Sequence, residues 1–77
     1  MRNLYDFLYA ALEAINNGQQ RRTRIMYAIN SFWPRTLRIL DRLIQYDMIS
    51  YDPPLYHLRP KAFEYMRAYR DLQALIQ

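Results

Sequence analysis

Seventy-seven residues, 52% hydrophobic and 16% aromatic, suit one small folded unit rather than a disordered chain or a pair of domains. With one glycine and no cysteine, a glycine-rich phosphate loop, a disulfide framework, thiolate metal sites and a cysteine nucleophile are excluded. Charge is uneven: 11 basic residues face 7 acidic ones, for a net charge of +4. Arg21, Arg22, Arg24, Arg35, Arg38 and Arg42 fall in one stretch whose sole acid is Asp41. Local positive charge on a small domain points to an anionic partner, nucleic acid first. The plain alternative is a solvated arginine-rich surface.

The first segment, Asn3 to Asn17, reads as a helix. Leu4, Phe7, Leu8, Ala11, Leu12 and Ile15 recur at helical spacing on one face, with Tyr5 and Tyr9 widening it. Asn3 suits the N-cap, Asp6 complements the helix dipole, and Gly18 suits the left-handed position after the helix. Gln19 to Arg22 is a polar loop. Thr23 is expected to cap a short helix that runs to about Asn30 on Ile25, Met26 and Ile29, with Ala28 permitting close approach. Phe32 and Trp33 are placed in the turn that follows. Pro34 opens a third helix, where a missing N–H costs nothing, running to about Tyr46. Its expected inner face is Leu37, Leu40, Leu43 and Ile44. Its outer face is Arg35, Arg38, Arg42 and Gln45, with Asp41 beside them.

Met48 to Tyr51 reads as a short strand, Asp52-Pro53-Pro54 as a turn, and Leu55 to Arg59 as the return strand, with His57 on it. Such a hairpin is marginal alone and must pack on helices. Pro60 opens a last helix to near Gln77, about 25 Å long at 1.5 Å per residue. Phe63 and Met66 are expected to face the core, and Tyr65, Tyr69, Leu72 and Ile76 to form a second stripe. The order helix-helix-helix-strand-strand-helix is that of a winged helix-turn-helix, mainly α with a small β-hairpin. One domain spans 1–77, and its terminal helix, about 60–77, carries the apolar stripe that wants a partner.

Ala11-Leu12-Glu13-Ala14-Ile15 followed by Arg22-Thr23-Arg24-Ile25-Met26-Tyr27 resembles the small archaeal winged-helix DNA-binding proteins of the ten-kilodalton chromatin-associated type. Leu40-Asp41, Leu43-Ile44 and Met48-Ile49 are similar to that family's recognition helix and first strand. Tyr56-His57-Leu58 and Lys61-Ala62-Phe63 are similar to its return strand and final helix. The likeness runs from about Ala11 to about Tyr69, and Thr-Arg-Ile-Met-Tyr is its most specific piece. It implies binding of double-stranded DNA through the second and third helices and the wing, and a homodimer joined through the terminal helix. The chain departs from the pattern at Asp47, where the family has Gly, at Arg59-Pro60, at Ala62 and at Pro34.

Arg35, Arg38 and Arg42 are the first candidates for base edges or groove phosphates, because arginine forks to guanine O6 and N7 or to phosphate. Arg21, Arg22 and Arg24 flank the start of the second helix, where backbone N–H groups and guanidinium can share a phosphate. Trp33, Gln45 and Arg59 complete the DNA-binding set, Trp33 being a turn-packing residue in the plainer reading. Tyr5, Tyr9, Tyr65, Tyr69, Leu72 and Ile76 are the candidate dimer surface. The wing tip carries no positive charge, so it contributes little electrostatic affinity. No paired carboxylates, Ser–His pair or metal-ligand spacing is present, so no enzyme, cofactor, metal or small-molecule ligand is expected. No apolar run nears the ~20 residues of a membrane span, and no signal core follows Met1. A cytoplasmic, nucleoid-associated protein follows, of cellular or viral origin. Arginine use over lysine, without cysteine, points to a hot habitat. The readings are a DNA-binding regulator or architectural protein, a winged-helix protein-interaction module without DNA contact, and a binder of RNA or single strands.

Overall fold

The computed structural model describes residues 2–76. Four helices and one hairpin follow in the order α1 Leu4–Asn16, α2 Arg22–Ala28, α3 Trp33–Gln45, β1 Ile49–Asp52, β2 Leu55–Leu58 and α4 Pro60–Ile76. This is the mainly helical winged helix-turn-helix order expected above.

Chain punctuation explains the breaks. α1 opens on a capping box, in which the Asn3 side chain accepts from Asp6 N–H at 3.0 Å and the Asp6 carboxylate accepts from Asn3 N–H at 3.0 Å. The first three helices end alike. Gly18, Asn30 and Asp47 take positive φ angles of 97°, 54° and 60°. At each end two amides turn back onto the last carbonyls: Gly18 to Ile15 and Gln19 to Ala14, Asn30 to Tyr27 and Ser31 to Met26, Asp47 to Ile44 and Met48 to Leu43. This paired pattern satisfies carbonyls that a helix end leaves orphaned. Asn and Asp tolerate the left-handed conformation better than other residues with a Cβ, so Asp47 stands adequately where the resembled family has glycine.

The core gathers Leu8, Ala11, Leu12 and Ile15 of α1, Ile25 and Ile29 around α2, and Ile39, Leu40 and Leu43 of α3. Met48, Ile49 and Tyr56 of the hairpin region and Ala62 and Met66 of α4 close it. The hairpin pairs antiparallel, with Ile49 opposite Leu58 and Asp52 opposite Leu55. Gln20 extends it on the far side: its carbonyl accepts from Tyr56 N–H at 2.9 Å and its amide donates to Tyr56 C=O at 3.0 Å. The α1–α2 connection thereby ties the wing to the helices.

Several expectations need correction. Thr23 does not cap α2. Arg21 holds the N-cap position without a side-chain bond, and Thr23 is exposed inside the helix. Trp33 is the first residue of α3 rather than a turn residue, and Phe32 is its N-cap. The inner face of α3 is Thr36, Ile39, Leu40 and Leu43, while Ile44 is 41% exposed and Leu37 half-buried. Thr36 is accommodated because its hydroxyl donates to Phe32 C=O at 3.0 Å. Leu4 and Phe63 are exposed, and the α4 residues turned to the core are Ala62 and Met66.

Candidate nucleic-acid interface

Helical spacing of three and four puts Arg35, Arg38 and Arg42 along one flank of α3. That flank faces the start of α1. The three arginines and Arg2 line a cleft of about 310 Å³, and Leu4 and Phe7, over the buried Ile39, supply its apolar surface. The Arg2 and Arg35 guanidinium groups lie over the Phe7 ring, 4.3 and 4.9 Å from its centroid. Arg35 also lies 4.7 Å from the Phe32 ring. Such contacts fix a guanidinium plane while its N–H edge stays available. Arg2 is anchored further by donating to Ile29 C=O at 2.6 Å, and Arg42 donates to the Tyr46 hydroxyl at 3.3 Å. Among the described residues no carboxylate pairs with any of these four groups, and the one salt bridge joins Arg59 to Asp47 at 2.7 Å.

The other candidate cations have different surroundings. Arg22 points into the wing, where its Nε donates to the Tyr56 hydroxyl at 2.9 Å and its guanidinium lies 4.7 Å from the Tyr51 centroid. Tyr51 and Tyr56 stack at 4.4 Å, 23° from parallel. The bond to Tyr56 is the main cause holding the Arg22 pKa above its ordinary value, with lesser contributions from Tyr51 and Asp41. Arg21 and Arg24 are exposed beside Gln19, Gln20 and Leu55, in a shallow depression under the wing's return strand. Arg59 is held at Asp47, Gln45 is exposed on α3, and Trp33 is 41% exposed at its start. The six-arginine stretch therefore divides three ways: a cleft beside α1, the wing, and the start of α2. Sequence reasoning missed Arg2 as a member of the cleft. Its signal was its place just before the Asn3 cap, which puts it at the mouth of α1.

The candidate dimer residues also divide. Tyr69 donates to the Asp6 carboxylate at 2.6 Å, and Tyr65 donates to Tyr5 C=O at 2.6 Å. Tyr9 and Tyr69 stack at 4.1 Å, 13° from parallel. These three tyrosines are half-buried in the seam between α1 and α4. The bond from Tyr69 is the first cause holding the Asp6 carboxyl below its ordinary value, and the same bond raises the Tyr69 hydroxyl. Burial is the first cause pushing the Tyr65 hydroxyl up to about 12. Tyr5, Leu72 and Ile76 remain exposed at 64, 56 and 70%, joined by Leu75 at 82%.

Among the described residues no group of three or more His, Asp or Glu is placed to hold a metal ion, and no helix is long and apolar enough to cross a membrane. No curated protein sequence matches the chain. A solved structure, the crystal structure of an O-methyltransferase from neocarzinostatin biosynthesis in complex with S-adenosyl-L-homocysteine, is similar over 77% of this chain, with a TM-score of 0.66 and 17% identity. The match covers 20% of that enzyme, and at this identity it is a likeness of fold. A family model described as winged helix-turn-helix matches residues 1–77. With three helices, a hairpin and a fourth helix in that order, the chain belongs to the winged helix-turn-helix family.

Proposed function

We propose that this protein binds double-stranded DNA as a homodimer, acting as a transcriptional regulator or a chromatin-like architectural protein in the cytoplasm. The observation that carries this reading is the row Arg35, Arg38 and Arg42 on one flank of α3, without a paired carboxylate among the described residues. An α-helix fits the major groove, and a row of guanidinium groups along its side meets phosphates or purine edges. Arg21 and Arg24 at the start of α2 supply further backbone contacts. Arg22, Trp33, Gln45 and Arg59 have supporting parts: Arg22 and Arg59 hold the wing and the end of α3 in place, and Trp33 and Gln45 border the groove-facing side.

The dimer would form through the outer end of α4, where Leu72, Leu75 and Ile76 stand exposed, with Tyr5 nearby on α1. Covering a few hundred Å² of apolar surface per chain is worth several kcal/mol at about 25 cal/mol per Å², before the costs of association. Pairing two domains doubles the phosphate contacts.

Anisotropy of a labelled random duplex tests the DNA reading. If six to ten phosphates are neutralised by the dimer, affinity falls about 10³–10⁵-fold between 50 and 200 mM salt. Absence of binding at 50 mM salt, or binding indifferent to salt, leaves the protein-interaction reading in its place. Competition by single-stranded DNA or RNA equal to that by duplex would move the assignment to single strands. Sedimentation showing only monomer at micromolar concentration removes the dimer.

A further inference from the structure

The cleft between the N-terminal end of α1 and the flank of α3 joins two properties that a duplex contact does not require together. Its edge is cationic: Arg2, Arg35, Arg38 and Arg42 converge on it, and no carboxylate pairs with them among the described residues. Part of its surface is apolar: Leu4 and Phe7 are accessible in the same space, over the buried Ile39. A volume of about 310 Å³ falls at the small end of ligand sites, which are mostly apolar with a few convergent polar groups. Two of the guanidinium groups are held by Phe7, and one of these is also bonded to Ile29 C=O, so they are set in place before any ligand arrives. Convergent like charges repel, and an anion among them relieves that repulsion. Bulk phosphate backbone would satisfy the cations and leave the apolar surface unused.

We infer that this cleft is a binding site for a small amphipathic anion: a carboxylate on a compact aromatic or branched apolar body. The carboxylate takes N–H groups of Arg38 and those of Arg42 not given to Tyr46, charge-assisted bonds from two guanidinium groups, and the apolar body lies against Leu4 and Phe7. The site itself is independent of the DNA-binding reading. Where that reading holds, the ligand occupies the same guanidinium groups as the duplex, so it acts as a negative effector of DNA binding.

The test is titration of the DNA-free, full-length protein with 3-phenylpropionate, followed by backbone amide shifts. Its uncharged counterpart 3-phenylpropanol and inorganic sulfate are the controls. The expected result is saturable binding with shifts confined to residues 2–8 and 32–43, at least about tenfold weaker for the alcohol and for sulfate, each of which lacks one half of the recognition. Arg42→Gln, at an exposed position where folding is undisturbed, should weaken 3-phenylpropionate at least about tenfold. Equal affinity for acid and alcohol, shifts spread over the molecule, or an R42Q variant that binds like the unaltered protein overturns the site. A second arm adds 3-phenylpropionate to a preformed duplex complex at constant ionic strength. Release with the same concentration dependence supports the effector role, and a complex that persists with the cleft saturated overturns that role alone. If no duplex complex forms at all, the DNA reading fails while the first titration still decides the cleft.

Discussion

Two regions of this small molecule use the same side chain differently. Beside α1, the guanidinium groups of Arg2, Arg35, Arg38 and Arg42 share a cleft without a paired acid among the described residues. At the wing, Arg22 is bonded to Tyr56 and laid over Tyr51, and Arg59 is bonded to Asp47. The first set has no acid partner among the described residues and keeps most of its N–H groups for a ligand, Arg2 giving one to Ile29 C=O and Arg42 one to the Tyr46 hydroxyl. The second uses its N–H groups to hold the hairpin and the end of α3 against the rest of the fold. Net charge therefore overstates the cations available for binding, and the three-way division of the arginine stretch matters more than its total.

The largest separation between the two regions should appear in duplex affinity. Arg38→Ala with Arg42→Ala is expected to weaken binding about a hundredfold, or ~3 kcal/mol, and to reduce the salt slope by about 2, as two charge-assisted phosphate contacts would. Arg22→Ala should change affinity by no more than about threefold by comparison, because its guanidinium is bonded to Tyr56 and laid over Tyr51 at the wing, away from the α3 flank. Anisotropy titrations at three salt concentrations measure both, and equal losses for the two variants would erase the distinction drawn here.

Stability should reverse the ranking. Tyr56→Phe removes the acceptor of Arg22 Nε and should cost about 1 kcal/mol in denaturant unfolding, whereas R38A/R42A should leave stability within about 0.5 kcal/mol, as surface substitutions do. Arg59→Gln breaks an exposed pair, its two side chains 47 and 70% accessible. It is expected to cost less than about 1 kcal/mol, most of it lost at high salt.

The smallest effect is titration of the α1–α4 seam. The Asp6 carboxyl is held below its ordinary value of 3.8, so its contribution is complete above pH 3.8 and disappears as pH falls through the lower folded value. At the other end, Tyr65 rises from 10.0 to about 12. The contribution of its neutral hydroxyl is complete below pH 10 and is lost as pH climbs towards 12. Asp6→Asn should flatten the acid limb of an unfolding-against-pH curve and also make the alkaline limb shallower, because the Asp6 carboxylate helps to raise both Tyr69 and Tyr65. An acid limb identical in both proteins would mean that Tyr69 gains nothing from the carboxylate.

Most helix ends were legible because their chemistry is local. Asn3 with Asp6, Gly18, Asn30 and Pro34 each act within one turn of their own position, and the structure differs at the start of α2, where Arg21 replaces the expected Thr23 cap. The rotation of α3 was less legible. Leu37, Ile39, Leu40, Leu43 and Ile44 cover an apolar arc wider than one neighbour can bury, and only packing against α1, α2 and β1 selects Ile39 over Ile44. The candidate dimer stripe was read from spacing along α4 alone, which does not register that α1 offers Asp6, Tyr5 C=O and the Tyr9 ring as partners for its tyrosines.

Composition, helical period and local punctuation thus determined the element order, the core residues common to several faces, and the placement of arginines along α3. Which arginines of the chain face a cleft and which brace the wing depends on residues far apart in sequence: Arg2 with Arg35 and Arg42, Arg22 with Tyr51 and Tyr56. Helical spacing sets a side chain's direction about its own axis. The group it meets is decided only when the axes are packed together, and that decision belongs to the tertiary structure.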